Sequence, residues 1–301
     1  MTISQVVSVL GQHLEFRLSE GGLSDAWRRL AGALAPWYDQ IGRQVKRSGV
    51  LHADETGWRV NGRTDWLWCF STRDATFYMI NRSRGSPALS KFFTEAFDGV
   101  LATDFWPAYN AVACAARQAC LPHLFRELDK VSDLPAGRQA GTDQSLLWQA
   151  FSRKLGRLLR DAVRLSRREG LSEQQYASRR AHIHKRLDGL MMAPWRNANA
   201  ERLLGRLERY REALFTFLDH PQVPSDNNHA ERQIRPAVIM RKNSPCNRSE
   251  QGANVQAIMM SVYRTLKLRG LDPLDTIVAA LRQHVSTGTL PPLPPASCSN
   301  G

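Results

Sequence analysis

The sequence predicts an α/β protein in which a mixed sheet flanked by helices is interrupted by an all-helical insertion. Strand-like runs, apolar or aromatic and bounded by turn residues, fall within the first 125 residues. From about residue 126 to 220 this alternation is lost and apolar residues recur at helical spacing. With 301 residues, 43% of them hydrophobic, the chain can bury the core of one large domain or two ordinary ones.

The N-terminal segment, residues 1–48, is predicted to be helical. Ser is a favoured N-cap, Pro is favoured at the first helical position, and Gly residues end helices. The predicted pieces are a helix over 5–18 ended by Gly21-Gly22, a helix capped by Ser24, and a helix from Pro36 to about Arg47.

Residues 49–125 are predicted to form the first part of the sheet domain. Two aromatic and β-branched runs separated by a Thr-Arg-Asp turn indicate a hairpin. The predicted strands cover 50–54, 66–71, 76–80, 99–103 and 119–121, and the predicted helices cover 87–97 and the residues after Pro107.

The remaining chain is predicted to be helical up to a Pro- and Ser-rich, disordered tail. Its last helices are expected to rejoin the sheet domain. The predicted segments are the insertion over 126–221 with loops near 134–142 and 193–199, the returning segment 222–288 with helices over 226–242, 253–268 and 273–287, and the tail 289–301.

The charge balance favours a polyanionic partner. Lys and Arg number 41 against 28 Asp and Glu, a formal net charge of +13. Nucleic acid is such a partner, although a solvated basic surface gives the same count. No window approaches the roughly 18 consecutive apolar residues of a spanning helix, and the first residues do not resemble a secretory signal. We therefore expect no membrane partner.

The five cysteines are odd in number and scattered, at 69, 114, 120, 246 and 298, and no CxxC pair occurs. This usage is not that of a disulfide framework and is typical of a reducing cytoplasm. Cys120 and His123 stand at the spacing of half a metal site, but a buried thiol followed by a helix-starting His is the simpler interpretation.

A stripe of arginines lies in the predicted insertion. Steps of four and three residues place its members on one helix face, while leucines and alanines fall on other faces. Five like charges on one stripe repel one another unless a polyanion neutralises them, which favours DNA contact over a merely solvated face. The stripe, called the arginine stripe below, consists of Arg153, Arg157, Arg160, Arg164 and Arg167.

Three carboxylates are candidates for metal binding. Asp54 and Asp104 end predicted strands, and Glu231 lies early in a predicted helix. Hard divalent ions such as Mg²⁺ and Mn²⁺ prefer oxygen ligands, and a pair of them can clamp the attacking and leaving oxygens of a phosphoryl displacement. Sites of this kind collect beyond strand ends in open sheets.

Each of these acids also has a structural interpretation. Asp54 is followed by Glu55, which points to the other strand face, so the choice between the two is ambiguous. Asp104 can begin a turn or cap the helix after Pro107. Glu231 can complete a capping box with Asn228. Spacing and order alone leave the metal-binding and structural interpretations equally open.

The sequence motifs around the three acids resemble those of a known protein family. His-Ala-Asp54-Glu-Thr, Thr-Asp104-Phe-Trp-Pro-Ala-Tyr-Asn and Ser-Asp-Asn-Asn-His-Ala-Glu231-Arg-Gln-Ile-Arg-Pro, followed by Arg-Lys-Asn, resemble the motif blocks of the insertion-sequence-sixty-six family of bacterial DDE transposases. The resemblance covers about residues 20–285, and its third block is highly specific.

This resemblance implies a ribonuclease-H-like fold in which Asp54, Asp104 and Glu231 bind two Mg²⁺ or Mn²⁺ ions and carry catalysis. It also implies action on double-stranded DNA, at element ends and at a target, by a homo-oligomer in the bacterial cytoplasm that is nucleoid-associated when bound to DNA. The residues expected to support the site are His123, Asn227 and Asn228, and those expected to contact DNA, besides the arginine stripe, are Arg235, Arg241 and Lys242.

The function that follows is DNA cleavage and strand transfer of an insertion sequence by two-metal phosphoryl transfer. Two alternatives remain open: a non-catalytic DNA-binding remnant and a ribonuclease-H-like nuclease. Family members are usually longer and carry a Cys-rich segment before the catalytic core, whereas this chain has no CxxC. A short variant and a truncated copy both fit that difference.

Overall fold

The computed structural model describes residues 2–132, 143–244 and 247–296. It is an α/β protein, as predicted. The strands are β1 Val50–Val60, β2 Arg63–Ser71, β3 Thr76–Asn81, β4 Phe97–Thr103 and β5 Cys114–Ala119. The helices are α1 Ile3–His13, α2 Glu20–Lys46, α3 Ser86–Phe92, α4 Leu121–Ser132, α5 Asp143–Leu165, α6 Glu173–Met192, α7 Ala198–Arg209, α8 Thr216–Asp219, α9 Asn228–Asn243, α10 Glu250–Leu268 and α11 Pro273–Thr287, with 3-10 turns at Pro107–Ala111 and Arg211–Ala213.

The five strands form one sheet in the order β3-β2-β1-β4-β5. β2 is antiparallel to both β1 and β3. The hairpin predicted from the two aromatic runs is confirmed as the β2–β3 pair. After β5, the described residues contain helices and turns but no further strand, so the prediction of a strand-free insertion is confirmed for them. The predicted loop near 134–142 lies outside the described residues.

β1 is much longer than the predicted strand 50–54. The cause is a two-residue turn: Asn61 and Gly62 both have positive φ, 49° and 74°. Asn-Gly is the favoured sequence for such turns because both residues tolerate this conformation. The turn folds β1 back onto β2, with Val60 opposite Arg63. Asp54 therefore lies inside a strand, and its predicted place at a strand end is wrong.

α2 is one continuous helix where the sequence predicted a break and two starts. Ser19 caps it, and Gly21, Gly22 and Pro36 lie within it. A Pro in a helix interior costs about 3 kcal/mol. The buried stripe along α2 outweighs this cost, since each fully buried large apolar side chain contributes about 1.5–3 kcal/mol. That stripe consists of Leu23, Leu34, Trp37, Ile41 and Val45.

Three other boundaries differ from the prediction. α1 ends at His13, α3 ends at Phe92 because β4 already begins at Phe97, and β5 precedes its predicted position. The described part of the tail is not disordered: the indole of Trp37 donates to the Pro291 carbonyl at 2.6 Å, and Leu293 is 4% exposed. Apolar burial of Leu293 against the rest of the protein fixes this segment in place.

The chain divides into two compact units. The first comprises 1–99, 107–115 and 228–301, and the second comprises 100–106 and 116–227. In the first unit, α2 and α10 pack together, and α9 and α10 cover one face of the hairpin strands. In the second unit, α5 packs against α4, α6 and α7, with Phe151, Leu155 and Leu159 fully buried.

Candidate active site

Asp54 lies on the sheet face that α9 covers. Side chains alternate along a strand, so Asp54 shares a face with Trp58 and Val60. These two residues pack in one cluster with Ile234 and Ala237 of α9. Asp54 is half-buried, and its neighbour across the strand pair is Cys69, which belongs to the same cluster. The strand that carries Asp54 therefore packs directly against the helix that carries Glu231.

Cys69 beside Asp54 stays a neutral thiol. Burial raises the pKa of Cys69 well above its usual value, and the charge of Asp54 raises it further. A neutral thiol is a poor metal ligand, because the thiolate is the form that binds metals. Of these two neighbours, Asp54 offers the hard carboxylate oxygens that Mg²⁺ and Mn²⁺ prefer.

The first turn of α9 is fixed to the sheet through His229. Its Nε2 lies 3.0 Å from the hydroxyl of Ser71 on β2, and its ring centroid is 5.2 Å from that of His52 on β1. Burial lowers the pKa of His229, so the ring is neutral at pH 7. Glu231 is two residues further, which in a helix is a rotation of about 200°. Glu231 is half-buried and lies on the flank of α9 opposite His229.

The other end of α9 is fixed to β1 through Arg241. Its guanidinium donates to the Thr56 hydroxyl at 3.0 Å and to the Gly57 carbonyl. α9 therefore runs along β1, with His229 near His52 and Arg241 near Gly57. The contacts of Arg241 are those of a residue that holds the helix in place, and its predicted DNA contact stays a prediction. Arg235 and Lys242 on the same helix are exposed.

Glu55 is a structural carboxylate. Only 2% of its side chain is exposed, and it accepts a hydrogen bond from the Tyr109 hydroxyl at 2.6 Å. It also pairs with Arg84 at 3.1 Å, and the guanidinium of Arg84 stacks over Trp66 at 4.4 Å. A buried carboxylate with a hydrogen bond and an ion pair stabilises the fold. These contacts favour Asp54 over Glu55 as the candidate ligand, and the ligand role of Asp54 stays a prediction.

Asp104 is the first residue after β4. Its Oδ1 accepts the backbone N–H of Trp106 at 2.8 Å, which opens the 3-10 turn at Pro107–Ala111. The turn-forming interpretation of Asp104 is thus correct, and it does not exclude a ligand role because a carboxylate offers about four lone-pair sites. Its predicted position at a strand end agrees with β4 to within one residue.

Cys120 and its neighbours hold the chain before α9. The Cys120 amide donates to the Thr103 carbonyl at 2.9 Å, and its thiol accepts the Asn227 amide at 3.2 Å. The Leu121 amide donates to the Ser225 carbonyl at 3.0 Å. Cys120 is 1% exposed, which fits the buried-thiol interpretation. Asn227 is buried at 2% exposure, and α9 begins at Asn228.

The start of α9 at Asn228 bears on Glu231. Asn227 then occupies the cap position, and Glu231 is the fourth residue of the helix. A capping box needs the acid at the third helical position, where this chain has Ala230. By these bounds Glu231 lies one position beyond that of a capping box, and its ligand role stays a prediction.

The arginine stripe is fully on the surface of the second unit. All five side chains are exposed. Arg153, Arg157, Arg160 and Arg164 lie on α5, whose Leu155, Leu158 and Leu159 are buried, as the helical spacing predicts. Arg167 follows the end of α5 at Leu165, so the predicted helix face does not extend to it. Within the residues that the structure describes, none of the five forms an ion pair with a carboxylate. Their charge is thus available to a polyanion.

Residues 2–255 match the sequence profile of the family described as Transposase IS66 family. The chain belongs to the IS66 family of transposases. Among its curated relatives is an uncharacterized protein, y4qI of Sinorhizobium fredii, 29% identical over 81% of this chain and 49% of the relative. Another from the same bacterium, y4jD, is 24% identical over 90% of this chain and 57% of the relative. The chain thus spans about half the length of these relatives.

Family membership agrees with the resemblance drawn from the three motif blocks. Among the described helices of this IS66-family chain, none has the length and apolar character needed to cross a membrane.

Proposed function

We propose that this IS66-family chain cleaves DNA and transfers the cleaved strand by metal-dependent phosphoryl transfer. The observation that carries the proposal is the packing of α9 along β1, which sets the element bearing Glu231 against the strand bearing Asp54. The neighbouring acid, Glu55, binds Tyr109 and Arg84, which supports Asp54 as the ligand on the helix-covered face.

Asp54, Asp104 and Glu231 would hold Mg²⁺ or Mn²⁺, two ions in the full site, in a ribonuclease-H-like core. The donor set fits these ions, because it offers carboxylate oxygens and the neighbouring Cys69 remains a thiol. When bound, the ions supply an activated water and stabilise the attacking and leaving oxygens of an in-line displacement. The role of the protein is to supply three carboxylates from ordered elements of the fold.

DNA is held elsewhere on the chain in this proposal. The arginine stripe binds phosphates of the duplex, and Arg235 and Lys242, exposed on α9, bind phosphates near Glu231. His123, Asn227 and Asn228 position the segment that leads into α9. Because element ends are joined to a target, the protein acts as a homo-oligomer on DNA.

A nicking assay tests the proposal. Purified protein is incubated with duplex DNA carrying the element ends in Mg²⁺ or Mn²⁺, with and without EDTA. We expect nicking that EDTA abolishes, and its loss in Asp54→Asn, Asp104→Asn and Glu231→Gln with DNA binding retained, since these changes remove the charge that holds the ions. Asp98→Asn, an exposed acid on β4, is the matched control and should cut normally.

Cutting that persists in EDTA overturns the metal mechanism. Binding to the correct ends without cutting in any divalent ion favours the non-catalytic DNA-binding alternative. Nicking without joining to a target favours the nuclease alternative.

A further inference from the structure

A cavity lies between the ends of the β1–β2–β3 strands and the start of α10. Two adjoining hollows, each of about 270 Å³, share the four residues Val60, Asp65, Arg82 and Glu250. Strand alternation places Asp65 on the same face as Leu67 and Cys69, the face that α10 covers. The cavity is therefore built into the first unit and is separate from the arginine stripe.

Asp65 is a buried acid with no partner among the described residues. It is 6% exposed, and within that part of the chain it makes no hydrogen bond and no ion pair. Burial raises its pKa, and Arg82 and Arg63 only partly oppose this effect through their charges. The oxygens of Asp65 are not among the fully buried side-chain atoms without a partner, so they are open to the cavity, where a ligand with N–H donors can reach them.

The rim of this cavity is cationic. Arg63, Arg82 and Arg248 line it together with Ser249, the N-cap of the 19-residue helix α10. Arg82 pairs with Glu250 at 4.0 Å, and both side chains are largely exposed, so the pair is weak. Three guanidinium groups beside a helix N-terminus favour an anion, and phosphate above all.

The lining of one of the two hollows combines apolar and amide side chains. The apolar ones are Val60, Ile80, Ala253 and Ala257, and the amides are Asn81 and Asn254. A ring with hydrogen-bonding edges can use both kinds of lining, whereas an aliphatic ligand leaves Asp65 and the amides unsatisfied.

We propose that this cavity binds one nucleotide, with its phosphate at Arg63, Arg82 and Arg248 and the N–H edge of its base on Asp65. A bare phosphate does not account for Asp65, which repels it, and a metal cation does not account for the three arginines. Guanine fits best, because its N1–H and N2–H donors are adjacent and match the two oxygens of one carboxylate. The nucleotide is either free or a splayed base of a DNA strand, and the site does not depend on Asp54, Asp104 or Glu231.

Binding is measured by isothermal titration with dGMP, dTMP and inorganic phosphate, and by fluorescence anisotropy with short single strands that contain or lack one guanine. All measurements are made in EDTA, so that cleavage plays no part. We expect dGMP to bind more tightly than dTMP, and both more tightly than phosphate. Asp65→Asn should weaken dGMP about tenfold, the lower range of one bidentate base contact. It should not weaken inorganic phosphate, because the change removes a repelling charge.

The double change Arg63→Gln and Arg248→Gln should weaken every nucleotide. Arg59→Gln is the matched control, because Arg59 is exposed on the opposite face of the same hairpin. Thermal melting of each variant shows that it is folded. A guanine-dependent preference seen only with single strands assigns the site to a base of DNA, and one seen with dGMP as well assigns it to nucleotides in general.

Equal affinity for dGMP and inorganic phosphate overturns the proposal in favour of a simple anion site. So does an Asp65→Asn variant that binds dGMP as the unchanged protein does. Repeating the titrations in Asp54→Asn separates the two proposals: nucleotide binding should persist there even though nicking is abolished.

Discussion

The thiol of Cys120 accepts a hydrogen bond from the backbone N–H of Asn227, at 3.2 Å. The two residues are 107 positions apart in the chain. Through its own amide, Cys120 also binds the carbonyl of Thr103, the residue before Asp104. One buried cysteine therefore holds both the end of β4 and the segment that leads into α9. This gives the cysteine of the Cys-x-x-His spacing a structural role.

Removal of this acceptor should destabilise the fold. Cys120→Ala removes the sulfur that accepts from the backbone N–H of Asn227, and the loss of one hydrogen bond costs about 0.5–1.5 kcal/mol of the free energy of unfolding. Cys120→Ser restores an acceptor and should recover part of the loss. Urea denaturation measures both, and an alanine variant as stable as the unchanged protein contradicts the structural role.

Substitutions of His229 and Ser71 should have coupled effects on stability, because the two side chains are in contact. In a double-mutant cycle of His229→Ala and Ser71→Ala, we expect a coupling energy of about 0.5–1.5 kcal/mol, the range for one hydrogen bond. Both single variants should also nick DNA more slowly and need more Mn²⁺, because the hydrogen bond that orients the first turn of α9 is absent. Additive effects on stability, with an unchanged Mn²⁺ requirement, would show that this pair does not position Glu231.

The hydroxyl of Tyr109 supports a buried charge. Tyr109→Phe removes the donor to Glu55, and hydrogen bonds to charged groups contribute about 1.5–3 kcal/mol. The same change at Tyr263, which is 49% exposed, should alter the unfolding free energy by less than about 0.5 kcal/mol. Equal effects of the two substitutions on the unfolding midpoint would contradict a buried role for the Tyr109 hydroxyl.

Replacing Asp65 by Asn should stabilise the fold, and the size of this effect should depend on pH. Its folded-state pKa is raised by burial, so the folded protein binds the proton more tightly than the unfolded chain. Protonated Asp65 contributes stability that is fully present below the ordinary Asp pKa, about 3.9. This contribution is lost as the pH rises through the pKa that Asp65 has in the folded protein. Asp65→Asn should therefore melt at a higher temperature than the unchanged protein at pH 7.5, with a smaller difference at pH 4.5. Asp275→Asn, at an exposed site, is the control.

The arginine stripe predicts a change in salt dependence. Changing Arg153, Arg157 and Arg160 to Ala should reduce the slope of log affinity against log salt by about 0.9 for each phosphate that the variant no longer neutralises. The matched triple change is Arg17, Arg43 and Arg47 to Ala, all exposed in the first unit. If both triple variants give the slope of the unchanged protein, the stripe is a solvated helix face.

Local signals in the sequence predicted much of the fold. The β2–β3 hairpin, the strand-free insertion and α11 were all predictable, because each is specified by the periodicity and turn residues of its own segment. The length of β1 is also encoded locally, in the turn sequence Asn61-Gly62. The continuity of α2 was not predictable, because an interior Pro36 is tolerated only through burial against residues distant in sequence.

In the candidate site, too, some features are predictable from local sequence and others depend on the tertiary structure. Asp54, Asp104 and Glu231 could be singled out because the sequence motifs around them are specific. The commitment of Glu55 to Tyr109 and Arg84, and of Arg241 to Thr56, depends on which segments meet in three dimensions. Asp65 gave no signal in the sequence, since an acid in a strand is ordinarily a solvated one.

The contact between Trp37 and Pro291 has a consequence for biosynthesis. The indole and its acceptor are separated by 254 positions, so α2 leaves the ribosome long before its partner is made. During that interval the second unit, whose longest stretch ends at Asn227, can fold while α2 still exposes its apolar stripe. Because α10 packs on α2, the stripe stays without this cover until the chain has been synthesised beyond Leu268. The Trp37 indole receives its acceptor at Pro291 later still, so the packing of α2 is completed near the end of synthesis.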